Sequence, residues 1–315
     1  MLADPLQACL LHFDDETDAA GRLAQAAQLP AKMIERHRFP DGELKLRLPV
    51  DGAGRLPPQV VLLRSLHDPN EKLVELLLAA RAARTLGARH ITLVAPYLAY
   101  MRQDIAFAPG EVVSQQVVGG FLAGLVDAVI TVDPHLHRVA TLQEAMAVPD
   151  AIALSGAEPL SDLIARRRPH ALLVGPDGES AQWIAQAAVR HGFDHAVCTK
   201  VRHGDRDVTI ELPPIAAAGR AVVLLDDMAS TGRTLALATR LLRAAGAASV
   251  DVAVTHALFA GDALQALNDA GVGEVWSTDC IPHASNAVAM AEPLAQALRS
   301  LLQRRGGLRQ SAPLP

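Results

Sequence analysis

The sequence predicts an α/β protein built as two tandem copies of one unit, each a mainly parallel sheet covered by helices. Short apolar runs alternate with longer helical patterns along nearly the whole chain, the arrangement that places helices on the faces of a parallel sheet. One order of segments also recurs. Val60-Val61-Leu62-Leu63, a helix, Leu86-Gly87-Ala88 and Ile91-Thr92-Leu93-Val94 return as Val222-Val223-Leu224-Leu225, a helix, Ala245-Gly246-Ala247 and Val250-Asp251-Val252-Ala253. At 315 residues the chain is long enough for two such units.

In order, a strand is expected over 8–13 and a helix over 17–28, whose acidic start suits the helix dipole. Pro40-Asp41-Gly42 reads as a turn followed by an exposed alternating strand, by itself an ordinary hairpin. A strand at 60–63, a helix at 71–86 with Leu73, Leu76, Leu77 and Ala80 on its apolar side, and strands at 91–95 and 129–132 continue the first copy. The second copy is read as helix 158–167, strand 171–174, helix 180–191 and a strand near 208–212. Strand 221–225, helix 233–245, strand 250–253, helix 262–270, strand 274–277 and helix 287–302 complete it. The boundary is placed at 148–155, which gives domains 1–150 and 151–303 and a flexible tail 304–315 rich in Arg, Gly and Pro.

Chemistry concentrates at Asp226-Asp227-Met228-Ala229-Ser230-Thr231-Gly232-Arg233-Thr234. The buried-strand run Ala221–Leu225 ends there at two carboxylates, and a helix begins after the hydroxyl residues. A helix start offers unpaired N–H groups and the positive end of its dipole, and Gly232 lets backbone approach an anion closely. Phosphate is the natural guest. Two carboxylates beside a phosphate would repel it unless they take sugar hydroxyls or Mg2+, so the combination suits a phosphorylated sugar. A plain N-cap accounts for one hydroxyl and leaves the acidic pair unexplained. In the first copy the same strand end carries Arg64 and Ser65, so that copy cannot hold a sugar in this way.

The motif Asp-Asp-x-x-Ser-Thr-Gly-x-Thr resembles the phosphoribosyl pyrophosphate (PRPP) loop shared by type I phosphoribosyltransferases and ribose-phosphate pyrophosphokinases. Ser230 and Arg233 stand where many of the latter have Asp and Gly. The duplication favours the pyrophosphokinases, and other segments resemble them in order from Arg38 to Leu302. The resemblance implies two tandem type I phosphoribosyltransferase-like domains. It implies that Phe39, Asp41 and Glu43 in Phe-x-Asp-Gly-Glu recognise adenine, reaching a neighbouring subunit's site and therefore requiring a homo-oligomer, a dimer, tetramer or hexamer.

Pro96 to Asp104 resembles the nucleotide loop and Phe107 to Glu111 continues it, with Arg102, Gln103 and Asp104 as ATP-binding residues; alone, Arg102 and Asp104 would read as a surface ion pair. A guanidinium fork suits phosphate and a Gln can read a base. His135, in Asp133-Pro134-His135, is implied as a ligand of Mg-nucleotide, with His137 as a competing candidate. Asp177, in Pro176-Asp177-Gly178-Glu179, is implied to bind sugar phosphate and metal, with Glu179 where Gly is common. Lys200 and Arg202 resemble the catalytic cations of the flexible loop. Asp177, Asp226, Asp227, Ser230, Thr231, Gly232, Arg233 and Thr234 then hold ribose 5-phosphate, and Mg2+ is the expected cofactor. The short loop after Lys200 looks archaeal in type. A phosphoribosyltransferase or a non-catalytic regulatory subunit are the alternatives; no base-binding hood is found for the first, and Lys200, Arg202, Asp226 and Asp227 argue against the second.

Composition narrows the partners. With 50% hydrophobic and 20% charged residues and a formal charge of -5, the chain reads as globular and small-molecule binding, without the dense basic face that nucleic acid requires. Cys9, Cys198 and Cys280 lie far apart, which suggests neither disulfides nor zinc and fits a cytoplasmic enzyme. No secretory leader or membrane-spanning run is expected.

Overall fold

The computed structural model describes the backbone of residues 8–136, 139, 141–202 and 208–310, and the side chains within those spans other than 200–209 and 306–310. Two compact units emerge, Met1–Leu154 with Met290–Pro315, and Ser155–Ala289.

The first unit contains β1 (Ala8–His12), α1 (Thr17–Ala27), β2 (Ala31–Met33), β3 (Glu35–Arg38), β4 (Leu44–Arg47), β5 (Gln59–Leu63), α2 (Pro69–Thr85), β6 (His90–Ala95), α3 (Ser114–Ala123), β7 (Ala128–Val132), α4 (Leu142–Ala145) and β8 (Asp150–Leu154). Its six-stranded sheet runs β2-β1-β5-β6-β7-β8, parallel throughout. Strands β3 and β4 stand apart as an antiparallel hairpin.

The second unit contains α5 (Ala157–Arg167), β9 (Leu172–Gly175), α6 (Ala181–His191), β10 (His195–Val197), β11 (Thr199–Arg202), β12 (Val208–Glu211), β13 (Ala221–Ala229), α7 (Arg233–Ala244), β14 (Ser249–Ala257), α8 (Ala263–Asp269), β15 (Val275–Thr278) and β16 (Asn286–Val288). Its parallel sheet runs β10-β9-β13-β14-β15-β16, while β11 and β12 form a separate antiparallel pair. The repeat read from the sequence is therefore topological. β5 and β6 hold the third and fourth places of one sheet, and β13 and β14 the same places of the other. The apolar run of β13 is continuous because both faces are buried. Val222 and Leu224 pack in a cluster with Leu235, Ala238 and Leu242 of α7, and Val223 and Leu225 in another with Leu160, Ile164 and Ile184.

Four expectations change. Strand β13 runs four residues past Leu225 to Ala229, because β14 extends to Ala257 and pairs Asp226 with Val254 and Met228 with His256. The C-terminal helix, α9 (Ala291–Gln310), belongs to the first unit rather than completing the second, so the expected limits 151–303 and 304–315 are not those of the structure. Leu294, Leu298, Leu301 and Leu302 form its buried stripe, Arg299 donates to the Ala26 carbonyl of α1, and Arg305 pairs with Asp150. The segment from Arg304 to Gln310 is accordingly helical instead of a flexible tail. On α2 the buried face carries Lys72, Glu75, Leu76, Ala79 and Ala80 while Val74 and Leu78 are exposed, a face rotated from the one read from the leucines.

Candidate active site

In a parallel α/β sheet the loops that leave the carboxyl ends of the strands gather on one edge, where ligands bind. In the second unit β9 and β13 are neighbours in register, Val174 opposite Leu224, and β9 ends at Gly175, so Asp177 follows that end beside the stretch of β13 that carries Asp226 and Asp227. Asp177 is nearly buried, and its Oδ1 accepts the Glu179 N–H at 3.1 Å. Its carbonyl takes the Ser180 hydroxyl at 2.6 Å, closing a one-turn 3-10 segment over Gly178–Ser180. A Cβ at Gly175 would overlap Ser180 Oγ, which explains the glycine before Pro176.

Asp226 Oδ1 accepts the Asp227 N–H at 3.0 Å, and both carboxylates are half-buried. Ser230-Thr231-Gly232 then turns the chain into α7, with Gly232 at φ 67° as the N-cap. No side chain caps this helix, and the first turn holds no acidic residue. Ala236 is the first residue to donate to it, to Gly232 O at 2.8 Å, so the N–H groups of Arg233, Thr234 and Leu235 precede the intrahelical ladder. The loop is braced from below by the β14–α8 connection: Phe259 N–H reaches Ala229 O at 2.8 Å and Ala260 N–H reaches Ser230 O at 2.9 Å. That brace was not legible in the sequence.

Cys198 N–H donates to Gly175 O at 2.9 Å, so β11, with Lys200 and Arg202 at alternate positions, departs beside the Asp177 turn. Lys200 pairs in register with Ile210 and Arg202 with Val208. The side chains of Lys200 and Arg202, and the whole of loop 203–207, lie outside the described residues. Burial, then the Asp177 charge, push the Cys198 thiol up to about 11, so it is no nucleophile at neutral pH.

In the first unit the nucleotide-loop candidates follow β6 and His135 follows β7, joined where Val132 N–H meets Pro96 O at 3.2 Å. Tyr97 N–H donates to Ser65 Oγ at 3.3 Å and Leu66 N–H to Tyr97 O at 2.9 Å, while Tyr100 hydrogen-bonds Asn70. The loop root is thus fixed to the β5–α2 connection. Arg102 is exposed, Gln103, Asp104 and His135 are half-buried, and Phe107 is 72% exposed. His137 lies outside the described residues. Phe39, Asp41 and Glu43 sit at the tip of the β3–β4 hairpin, outside the six-stranded sheet. Phe39 N–H bonds Glu43 O at 2.8 Å, Gly42 holds φ 94°, and Asp41 Oδ1 accepts the Glu43 N–H at 3.1 Å.

Where the second unit keeps its acidic pair, the first has a buried ion cluster. Arg64, 1% exposed, lies 4.7 Å over the Phe13 ring and donates to Asp15 at 2.8 and 2.9 Å, to Glu16 at 3.0 Å and to Glu75. Glu16 also accepts the Ser65 N–H at 2.6 Å, and Lys72 donates to Ser65 O at 2.8 Å. Burial raises the Glu16 carboxyl against the opposing pull of Arg64, and burial with Lys72 lowers His67 to about 4. This end of β5 is filled by its own guanidinium and the three carboxylates that accept from it.

Among the described residues no three or more His, Cys, Asp or Glu side chains gather to hold a metal ion. The carboxylates of Asp177, Asp226 and Asp227 are oxygen donors of the kind Mg2+ takes one or two at a time, with water and substrate phosphate completing its shell. Among the described residues no helix is long and apolar enough to cross a membrane.

Comparison with known proteins agrees with this reading of the chain. Residues 8–124 match a family described as the N-terminal domain of ribose phosphate pyrophosphokinase, and residues 198–294 one described as a phosphoribosyl synthetase-associated domain. The ribose-phosphate pyrophosphokinase of Methanopyrus kandleri is 36% identical over 283 residues, 89% of this chain and 94% of that one. That of Halobacterium salinarum is 34% identical over 294 residues, 92% of this chain and all of its own length. The crystal structure of phosphoribosylpyrophosphate synthetase from Mycobacterium smegmatis shares the fold with a TM-score of 0.80 at 24% identity, covering 94% of this chain and 99% of that one.

Proposed function

The chain belongs to the ribose-phosphate pyrophosphokinase family and is an enzyme of that activity, and we propose that it moves the diphosphoryl group of MgATP onto ribose 5-phosphate. In this reaction the C1 hydroxyl oxygen of the sugar bonds to the β-phosphorus, the bond from that phosphorus to the α-phosphate bridging oxygen breaks, and the hydroxyl proton is lost. PRPP and AMP are the products.

The observation that carries this reading is the juxtaposition of Asp177, just past the end of β9, with Asp226 and Asp227 on the adjacent strand β13, ahead of a glycine-capped helix start. Asp226 and Asp227 bind the ribose hydroxyls, and the backbone of Ser230 to Thr234 with the α7 N-terminus takes the 5-phosphate. Asp177 assists at sugar phosphate and metal. Arg102 and Gln103, with Asp104, bind the nucleotide, and the Phe39 ring with Asp41 and Glu43 reads the adenine. Lys200 and Arg202 stabilise the charge that builds during transfer, a role that asks for positioning rather than a nucleophile. His135 in the first unit and Asp177 in the second would each be a ligand for Mg2+, which when bound neutralises polyphosphate charge.

A homo-oligomer follows from the exposed hairpin tip, if adenine is read across a subunit boundary. A reducing cytoplasm suits three buried thiols. The deciding assay measures AMP release from MgATP with and without ribose 5-phosphate. Release that depends on the sugar and yields PRPP supports the reading. Consumption of PRPP with a base and no need for ATP would identify a transferase instead.

A further inference from the structure

The hairpin that carries Phe39 hangs on α2 by two charged rungs. Arg36 of β3 donates to Glu75, and Arg38 pairs with Glu71. The two arginines are two residues apart on a strand, about 6.6 Å, and the two glutamates one turn apart on a helix, about 6 Å, so both rungs close together. Alternate strand residues face opposite sides, so committing Arg36 and Arg38 to α2 commits His37 and Phe39 to the other face. There the two rings meet edge to face at 4.9 Å, and Phe39 remains 40% exposed.

The inner rung is anchored in the core. Glu75, 0% exposed, accepts from Arg36 at Oε1 and from Arg64 at Oε2, and Arg36 also donates to Asp14 at 2.6 Å. Both guanidiniums lie over the Phe13 ring, at 5.6 and 4.7 Å. The fixed charges of the β5 end thus pass, through one shared carboxylate, to the base of the hairpin. From the same cluster Ser65 contacts the backbone of Tyr97, at the root of the nucleotide loop.

We propose that Arg36 and Arg38, through Glu75 and Glu71, are positioning residues for adenine recognition, holding the hairpin in the one register that presents Phe39 to the base. The role rests on the reading of Phe39 as the adenine contact. It assigns nucleobase selectivity to ion pairs that touch no nucleotide.

The experiment compares ATP with GTP as diphosphoryl donor. Arg36→Met, Arg38→Met, Phe39→Ala and the double variant Arg36→Met with Phe39→Ala are assayed for kcat/KM with each donor, for the ribose 5-phosphate KM and for thermal unfolding. Phe39→Ala is expected to lower the ATP over GTP preference about tenfold: the ring stacks on either purine, but without it the base is no longer held where Asp41 and Glu43 can accept from the 6-amino group that adenine has and guanine lacks. Arg36→Met reproduces that loss with the ribose 5-phosphate KM within about twofold, and adds little on top of Phe39→Ala because both act on one contact. Arg36→Lys, which keeps the charge but not the fork, recovers part of the preference. A folded Arg36→Met with wild-type preference, where Phe39→Ala has lost it, overturns the positioning role. Should Arg36→Met not fold, wild-type preference in Arg38→Met overturns it equally. If Phe39→Ala itself keeps the preference, the adenine reading of the hairpin is what has failed.

Discussion

A Cβ placed on Gly232 would stand 3.2 Å from Ala263 O and 3.4 Å from Ala263 Cβ, at a backbone angle of φ 67°. The glycine that starts α7 is therefore required twice, by conformation and by the approach of α8. Gly232→Ala should cost about 1–2 kcal/mol of stability, the ordinary penalty for a side chain in left-handed backbone, plus whatever α8 must give. The ribose 5-phosphate KM should rise while the ATP KM holds. Thermal denaturation and steady-state kinetics measure both, and an unchanged melting temperature would contradict the packing argument.

Asp226→Asn and Asp227→Asn remove charge from the strand end without removing volume. If these carboxylates accept hydrogen bonds from ribose hydroxyls, each change should weaken ribose 5-phosphate binding by about tenfold or more, the worth of a charged hydrogen bond. Calorimetric titration of each ligand checks it. Equal losses for ATP and sugar in a folded variant would remove the assignment.

Lys200→Ala tests transition-state charge. Loss of one electrostatic donor costs about 3 to 4 kcal/mol in comparable sites, so turnover should fall on the order of a hundredfold or more with substrate affinities little moved. Arg202→Ala should behave alike. A variant with intact fold and wild-type turnover would strip Lys200 of its catalytic role and leave the family assignment standing.

Acid should destabilise the first unit through two histidines. Burial, reinforced by Lys72 at His67 and by Arg305 at His90, holds both near about 4, against an ordinary 6.5. The unfolded chain therefore takes up these protons as pH falls below about 6.5, while the folded chain waits until about 4, so stability falls through that window. Each group contributes on the order of 1 kcal/mol after solvent screening is allowed for. Urea midpoints at pH 7.5 and pH 5 should differ less in His67→Gln with His90→Gln than in the wild type. An undiminished difference would show that carboxylates carry the whole effect.

Assembly bears on activity if the hairpin tip serves a neighbour. Sedimentation run alongside the assay should then find turnover confined to the oligomer. A fully active monomer would mean that Phe39, Asp41 and Glu43 do not work in trans.

The duplicated architecture was legible because buried parallel strands leave continuous apolar runs, and Val222–Leu225 has no other good use. The strand, loop and helix that carry the sugar-loop candidates were legible because a continuous apolar run meets an acidic pair and hydroxyl residues just before a helical pattern. Other features were hidden by what pattern reading weighs. The residues at 31–33 and 286–288 make edge strands too short to show a period. The apolar face of α2 misled because Lys72 and Glu75 face inward, satisfied by Ser65 and two arginines far apart in sequence. The partner of α9 was misassigned since an amphipathic stripe says that a helix must be covered and not by what.

Because α9 returns to pack on α1 after the whole second unit has intervened, the first unit is discontinuous in the chain. On a ribosome, residues 155–289 emerge with every strand of their sheet in hand, whereas the earlier unit still lacks the helix that covers α1. The part made first is thus finished last. The loops after β6 and β7 come to rest on a framework closed only after the second unit is complete, and a nascent chain stalled before Ala291 would show a whole second unit and a bare α1.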